Sequence, residues 1–224
     1  MRFTDYDRDI IDSMIDKLCA EDFLSVLEGH INYWDWKNDT SCTEPRFTRW
    51  EVFDDIGLEV HTGATKVCVM SDELGDWVLK FNLPFLRMDY CRQESFNYIL
   101  AAERGLEHFF AETFWYGKIR DQDVYIQRRV EHTSWISDKI KKRFYDYVAE
   151  TEEFYKEDFE DEDCYWDAIS ENAEDMCDMD RAAAVFGWNE ELIDFIEERY
   201  INDLHEGNFG WSGDNYYIID FSGY

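Results

Sequence analysis

The chain has 224 residues, 52 of them acidic and 22 basic, for a formal net charge of −30 and a pI near 4.3. A field of that sign repels nucleic-acid phosphates and anionic membrane, so neither is expected as a direct partner. With 45% hydrophobic and 18% aromatic residues, the sequence is expected to bury a real core and not to be a disordered acidic tail.

The N-terminal nine residues lack an apolar signal core, and Ile10–Leu27 follows as an amphipathic helix. Ile10, Ile11, Met14, Ile15, Leu18 and Cys19 lie on one face, and Gly29 is the stop. Asn38-Asp39-Thr40-Ser41 reads as a turn. Between Phe53 and Phe81 the period changes from helical to alternating. Ile56–His61, Thr65–Met70 and Trp77–Phe81 are expected to form an antiparallel three-stranded meander with tight turns at Thr62-Gly63-Ala64 and Ser71–Asp76. Asp89 caps a predicted helix through about Glu103, closed by Arg104-Gly105, and strands follow at Thr113–Ile119 and Val124–Gln127.

From Ser137 onward the pattern is helical and very acidic. Ser137–Glu150 reads as one helix, and Glu152–Asp163, with eight acidic residues among twelve, as a solvated face or loop. Asn189 caps a predicted helix over Glu190–Tyr200, with an apolar stripe of Leu192, Ile193, Ile196 and Tyr200. A polar turn at Asp203–Gly210 and a strand at Tyr216–Ile219 close the chain. The six cysteines stand far apart with no C-x-x-C pair, so they read as reduced thiols, mostly buried, rather than as zinc ligands or a disulfide framework.

The chemistry concentrates near the C-terminus. Asp203 and Asn208 stand five apart in a loop after a helix, and Asp220 follows an apolar strand twelve residues later. Asp and Asn oxygens are hard ligands of the kind Mg²⁺ accepts when it is shared with phosphates, and a carboxylate that orients a hydroxyl completes a minimal set for phosphoryl transfer. Each residue alone also serves as a turn former or a strand end. Asp203-Leu204-His205-Glu206-Gly207-Asn208 resembles the D-L-H-x-G-N catalytic loop of aminoglycoside and choline phosphotransferases, a branch of the kinase-like superfamily. Ile218-Ile219-Asp220-Phe221-Ser222-Gly223 is similar to that superfamily's metal loop.

The resemblance implies that Asp203 is the catalytic carboxylate and that Asn208 and Asp220 bind magnesium. It extends to Trp77-Val78-Leu79-Lys80-Phe81, which resembles the V-A-I-K strand and implies that Lys80 holds the ATP phosphates. The implied salt-bridge partner is Glu94, with Glu103 as the alternative; an edge lysine whose head reaches water would explain Lys80 equally. Gly63 and Ala64 occupy the place of the phosphate-covering hairpin, although a tight turn also accounts for Gly63. Gln127 and Arg129 mark the implied adenine hinge. Ile201 stands where the family has a histidine, and only four residues follow Asp220, so any substrate platform is expected from Met1–Trp50 or from the helices between Ser137 and Tyr200.

The implied fold is α+β, a minimal bilobal kinase-like arrangement of the short bacterial or mobile-element kind. It would comprise an N-terminal helical extension over 1–50, a five-stranded antiparallel small lobe with one helix over 51–130, and a short helical large lobe over 131–224. The expected activity is an ATP- and Mg²⁺-dependent phosphotransferase. Its phosphoacceptor would be a protein or small molecule of basic character, and its compartment the cytoplasm, or a host cytosol if exported. The alternative is an inactive kinase-like acidic protein that inhibits a basic, nucleic-acid-binding partner, as a polyanion mimic if its carboxylates are spaced like phosphates.

Overall fold

The structure, a computed structural model, describes residues 3–29, 50–63, 65–84, 86–131, 134–151, 153–175, 178–213 and 215–223. The expected turn at Asn38–Ser41 and the hairpin residue Ala64 lie outside them. The chain is α+β, with a five-stranded antiparallel sheet and, among the described residues, seven α-helices. None of those helices is long and apolar enough to cross a membrane. Two compact units divide the chain, one formed by Met1–Phe96 with Glu112–Arg129, the other by Asn97–Ala111 with Val130–Tyr224.

The first unit opens with α1 (Asp5–Ala20) and α2 (Phe23–Gly29). Helix α1 begins earlier than its apolar stripe suggests, because Thr4 and Asp7 form a capping box. It also ends earlier, at Ala20, just before Asp22, whose φ of 55° breaks the turn. The sheet runs β1 (Glu59–Thr62), β2 (Lys66–Met70), β3 (Trp77–Asn82), β5 (Gln122–Arg128) and β4 (Thr113–Ile119), in that spatial order. The first strand starts later than predicted, since Trp50–Ile56 forms a 3₁₀ helix that ends at Gly57 with φ 75°. A bulge between Trp115 and Gly117 interrupts the outer strand β4.

One face of this sheet is apolar by strict alternation. Val67, Val69, Leu79, Phe81, Val124 and Ile126 join Ile11, Met14, Leu18 and Phe23 in a single core. Each such side chain, fully withdrawn from water, contributes roughly 1.5–3 kcal/mol. At its margin Trp77 is buried, meets Phe3 and Phe114 edge to face at 5.4 and 5.7 Å, and donates its indole N–H to Asp7. The other face carries Cys68, Lys80, Tyr125 and Gln127. Helix α3 (Tyr90–Glu103) supplies the partners of that face: Asp89 caps it by accepting the Arg92 N–H at 2.9 Å, and also takes the Tyr125 hydroxyl at 3.0 Å. The boundary between the two units falls inside α3.

The second unit holds α4 (Ser134–Thr151), α5 (Glu162–Asp175), α6 (Asp178–Phe186), α7 (Glu190–Glu198) and a hairpin of β6 (Phe209–Ser212) and β7 (Asn215–Ile218). Leu192, Phe195 and Ile196 of α7 fall at helical spacing and pack with Phe110, Phe144, Leu204, Phe209, Ile218 and Phe221. A smaller cluster of Val148, Ala149, Tyr165 and Ile169 joins α4 to α5. Tyr200 does not extend the α7 stripe: it is 64% exposed and turns left-handed at φ 56°, which ends the helix. Strand β6 is an addition to the expected single closing strand. Within Glu152–Asp163, Lys156–Asp158 forms a 3₁₀ turn and α5 starts at Glu162. The thiols also depart from expectation, for Cys19 and Cys164 are exposed and, among the described cysteines, only Cys91 is buried.

Candidate functional site

The expected site residues fall in both units. In the first, β3 is central in the sheet and buried on both faces, so an ionisable side chain on it must find a partner. Lys80 points to the α3 side, where its Nζ lies 2.6 Å from Glu94 Oε2, with the lysine side chain 4% exposed and the glutamate fully buried. Glu94, rather than Glu103, is therefore the ion-pair partner. Asn82 positions α3 for this contact: its Nδ2 donates to the Leu83 and Met88 carbonyls and its Oδ1 accepts the Tyr90 N–H at 2.8 Å.

Sequence reasoning missed Lys66. Its Nζ lies 2.6 Å from the other oxygen of the same carboxylate, Glu94 Oε1, and it too is buried. The available signal was period two: Cys68 stands opposite Lys80 in the register, so Lys66 shares its face. Gln127 extends the network, with its Oε1 3.4 Å from Lys80 Nζ and its Nε2 donating to Thr113 Oγ1 at 2.8 Å. Buried Cys91 borders this cluster. Burial, with the Glu94 charge beside it, pushes its thiol well above the ordinary range, so it stays protonated and packs as an apolar group.

The remaining first-unit candidates sit elsewhere. Gly63 is exposed in the β1–β2 hairpin and donates its N–H to the Lys66 carbonyl at 2.9 Å. The Gln127 backbone lies in the ladder between β3 and β4, opposite Val78 and Thr113. Arg129 donates its backbone N–H to the Asp76 carbonyl and an Nη1 to the Ser71 carbonyl, and lines a shallow cleft with Asp54, Gly57, Glu59 and Asp72.

The second unit carries the loop after α7. Asn208 is buried, donates Nδ2 to the Asp203 carbonyl at 2.8 Å, and gives its own carbonyl to the Ile219 N–H at 2.9 Å. The loop therefore closes on itself and on the end of β7. With the amide nitrogen committed, Oδ1 is the end of Asn208 suited to a cation. His205 Nδ1 accepts the Gly207 N–H at 2.9 Å, which puts the neutral ring's proton on Nε2, 3.6 Å from Asp203 Oδ1. A Cβ at position 207 would run into that imidazole, which would have to swing aside and give up the Gly207 N–H.

The segment bearing Asp220 is held from two sides. Asn97, buried in α3, donates Nδ2 to the Phe221 carbonyl at 2.7 Å and accepts Arg199 Nε at 2.8 Å. Gly223, at φ 73°, lies so close to the Arg199 carbonyl that no side chain fits. Ser222 Oγ lies 3.4 Å from Asp220 Oδ1. The amide oxygen of Asn208 and the carboxylate of Asp220 are donor types that Mg²⁺ takes. Among the described residues no three His, Cys, Asp or Glu side chains gather as a metal site; the candidate ligands here are Asn208 and a single carboxylate, Asp220. No protein-family model, no curated protein and no solved structure matches the chain.

Proposed function

We propose that the protein is an ATP- and Mg²⁺-dependent phosphotransferase of minimal kinase-like fold. The observation that carries this reading is the buried contact of Lys80 Nζ with Glu94 Oε2 at 2.6 Å, from the central strand to the adjoining helix. A lysine held that way presents a fixed, dehydrated ammonium, which suits the charge of a nucleotide's phosphates. Asn208 and Asp220 would hold magnesium. Magnesium ATP would supply the phosphoryl group, its bond to ADP breaking as the bond to the acceptor forms, and the metal would disperse the charge. Asp203 then orients the substrate hydroxyl or amine and accepts its proton on a carboxylate oxygen as the nucleophile attacks. Basic phosphoacceptors suit the net charge of −30.

A second reading, an acidic protein that binds and inhibits a basic partner, draws on a separate observation. Glu157, Asp158, Glu160, Asp161, Glu162 and Asp163 are all exposed. One pair of variants separates the two readings. Asp203→Asn is expected to keep the fold and ATP affinity while lowering turnover by roughly 10²–10⁴, and neutralising the six acidic residues is expected to leave turnover on a small substrate in place. An activity that survives Asp203→Asn but vanishes on neutralisation assigns the protein to the binder class. The absence of any ATP binding to the wild-type chain, with or without Mg²⁺, would overturn the phosphotransferase.

A further inference from the structure

We infer that Lys66 is a second phosphate-binding lysine, acting beside Lys80 on the anionic end of a nucleotide; the inference rests on the phosphotransferase reading above. Strands β2 and β3 pair antiparallel with Cys68 opposite Lys80, and Lys66 is two residues from Cys68 on the same strand. The two lysines therefore project from the same face as diagonal neighbours, while Val67, Val69, Leu79 and Phe81 fill the core on the opposite face. Their ammoniums converge on one carboxylate, Lys66 on Oε1 and Lys80 on Oε2, each at 2.6 Å, with the lysine side chains only 5% and 4% exposed.

A strand-to-helix ion pair needs one lysine. Every further ammonium withdrawn from water adds a desolvation cost that packing with an apolar side chain would avoid. Two ammoniums on one glutamate are therefore a poor way to fasten a helix and a good way to receive a polyanion. A triphosphate spreads its charge over several oxygens, and Glu94 holds a pair of cationic donors ready for them. The shared tether gives the two lysines the same 2.6 Å contact with Glu94, so whatever that carboxylate does to orient Lys80 it does for Lys66.

The test is calorimetric titration of the full chain with ATP and with adenosine, in the presence of Mg²⁺, for the wild type, Lys66→Met and Lys80→Met. Lys66→Met is expected to weaken ATP by about tenfold or more, as loss of a charge-assisted contact does, to match Lys80→Met in size, and to leave adenosine unchanged. If Lys66→Met melts below the titration temperature, Lys66→Gln, which retains a donor to Glu94 without the charge, is read by the same criteria. ATP affinity at the wild-type level, or equal weakening of ATP and adenosine, overturns the role of Lys66 while the phosphotransferase reading stands. A wild-type chain that binds no ATP overturns both.

Discussion

Asn97 uses both ends of its amide, Nδ2 on the Phe221 carbonyl at 2.7 Å and Oδ1 on Arg199 Nε at 2.8 Å, and is buried while doing so. Removing one partner of a buried hydrogen bond costs about 1–3 kcal/mol, more than the bond itself is worth, because the other group keeps its desolvation penalty. Asn97→Ala is therefore expected to lower unfolding stability by that order in urea denaturation. It should also weaken Mg²⁺-dependent ATP binding more than metal-free binding, because the residue it releases follows Asp220 directly. Equal losses in the two conditions would make Asn97 a packing residue only. Such a residue is hard to see in a sequence, since its partner lies 124 positions away. The Lys80–Glu94 pair was legible because the apolar strand around Lys80 carries the pattern. Lys66 was not, because it opens its strand beside a turn and reads as an ordinary hairpin charge.

At the scale of elements, the start of α1 makes a pH-dependent contribution. The Thr4 hydroxyl, above all, holds the Asp7 carboxyl below its ordinary range, assisted by the Thr4 N–H and the Trp77 indole N–H and opposed by partial burial. A carboxyl depressed in the folded state stabilises at every pH above its unfolded value, near 3.9. That stabilisation is lost as pH falls through the depressed folded value. Asp7→Asn should cost about 1 kcal/mol at neutral pH, in the range of a lost helix cap, and its melting temperature should approach the wild type's as pH falls below about 4. A difference that persists at low pH would assign the effect to packing on Trp77. Strands β2 to β5 and helix α3 were legible because alternation and an Asp cap are local signals. Strand β1 was displaced because Ile56 and Leu58 look strand-like while Gly57 turns left-handed between them. Strand β6 was hidden because Phe209 and Gly210 follow so closely on the Asp203–Asn208 loop, and because Gly210 is set by the side chain of Val130 from elsewhere in the chain. Tyr200 was counted into the α7 stripe, although the helix stops at Glu198, because an aromatic residue at positive φ runs against its own preference.

For the molecule as a whole, the net charge of −30 over 224 residues is a self-repulsion that opposes the compact state. Salt shortens its range, from a Debye length of roughly 30 Å at 0.01 M to about 3 Å at 1 M. The melting temperature should therefore rise as sodium chloride increases across that interval, and binding of any basic phosphoacceptor should weaken over the same range. A melting temperature that falls with salt would mean that attractive pairs such as Lys17–Glu73, at 2.7 Å, outweigh the repulsion. The sheet bears on the same balance. Its outer strands among the described residues are β1, where Glu59 and His61 sit side by side at 2.7 Å, and β4, which kinks at Trp115–Gly117. A charged border and a kinked one are poor templates for strand addition by another molecule, so concentrated stocks at neutral pH are protected against fibre growth twice over, by mutual repulsion and by unfit borders. Near the pI of about 4.3 the mutual repulsion vanishes, and the kink in β4 is then the safeguard that does not depend on net charge.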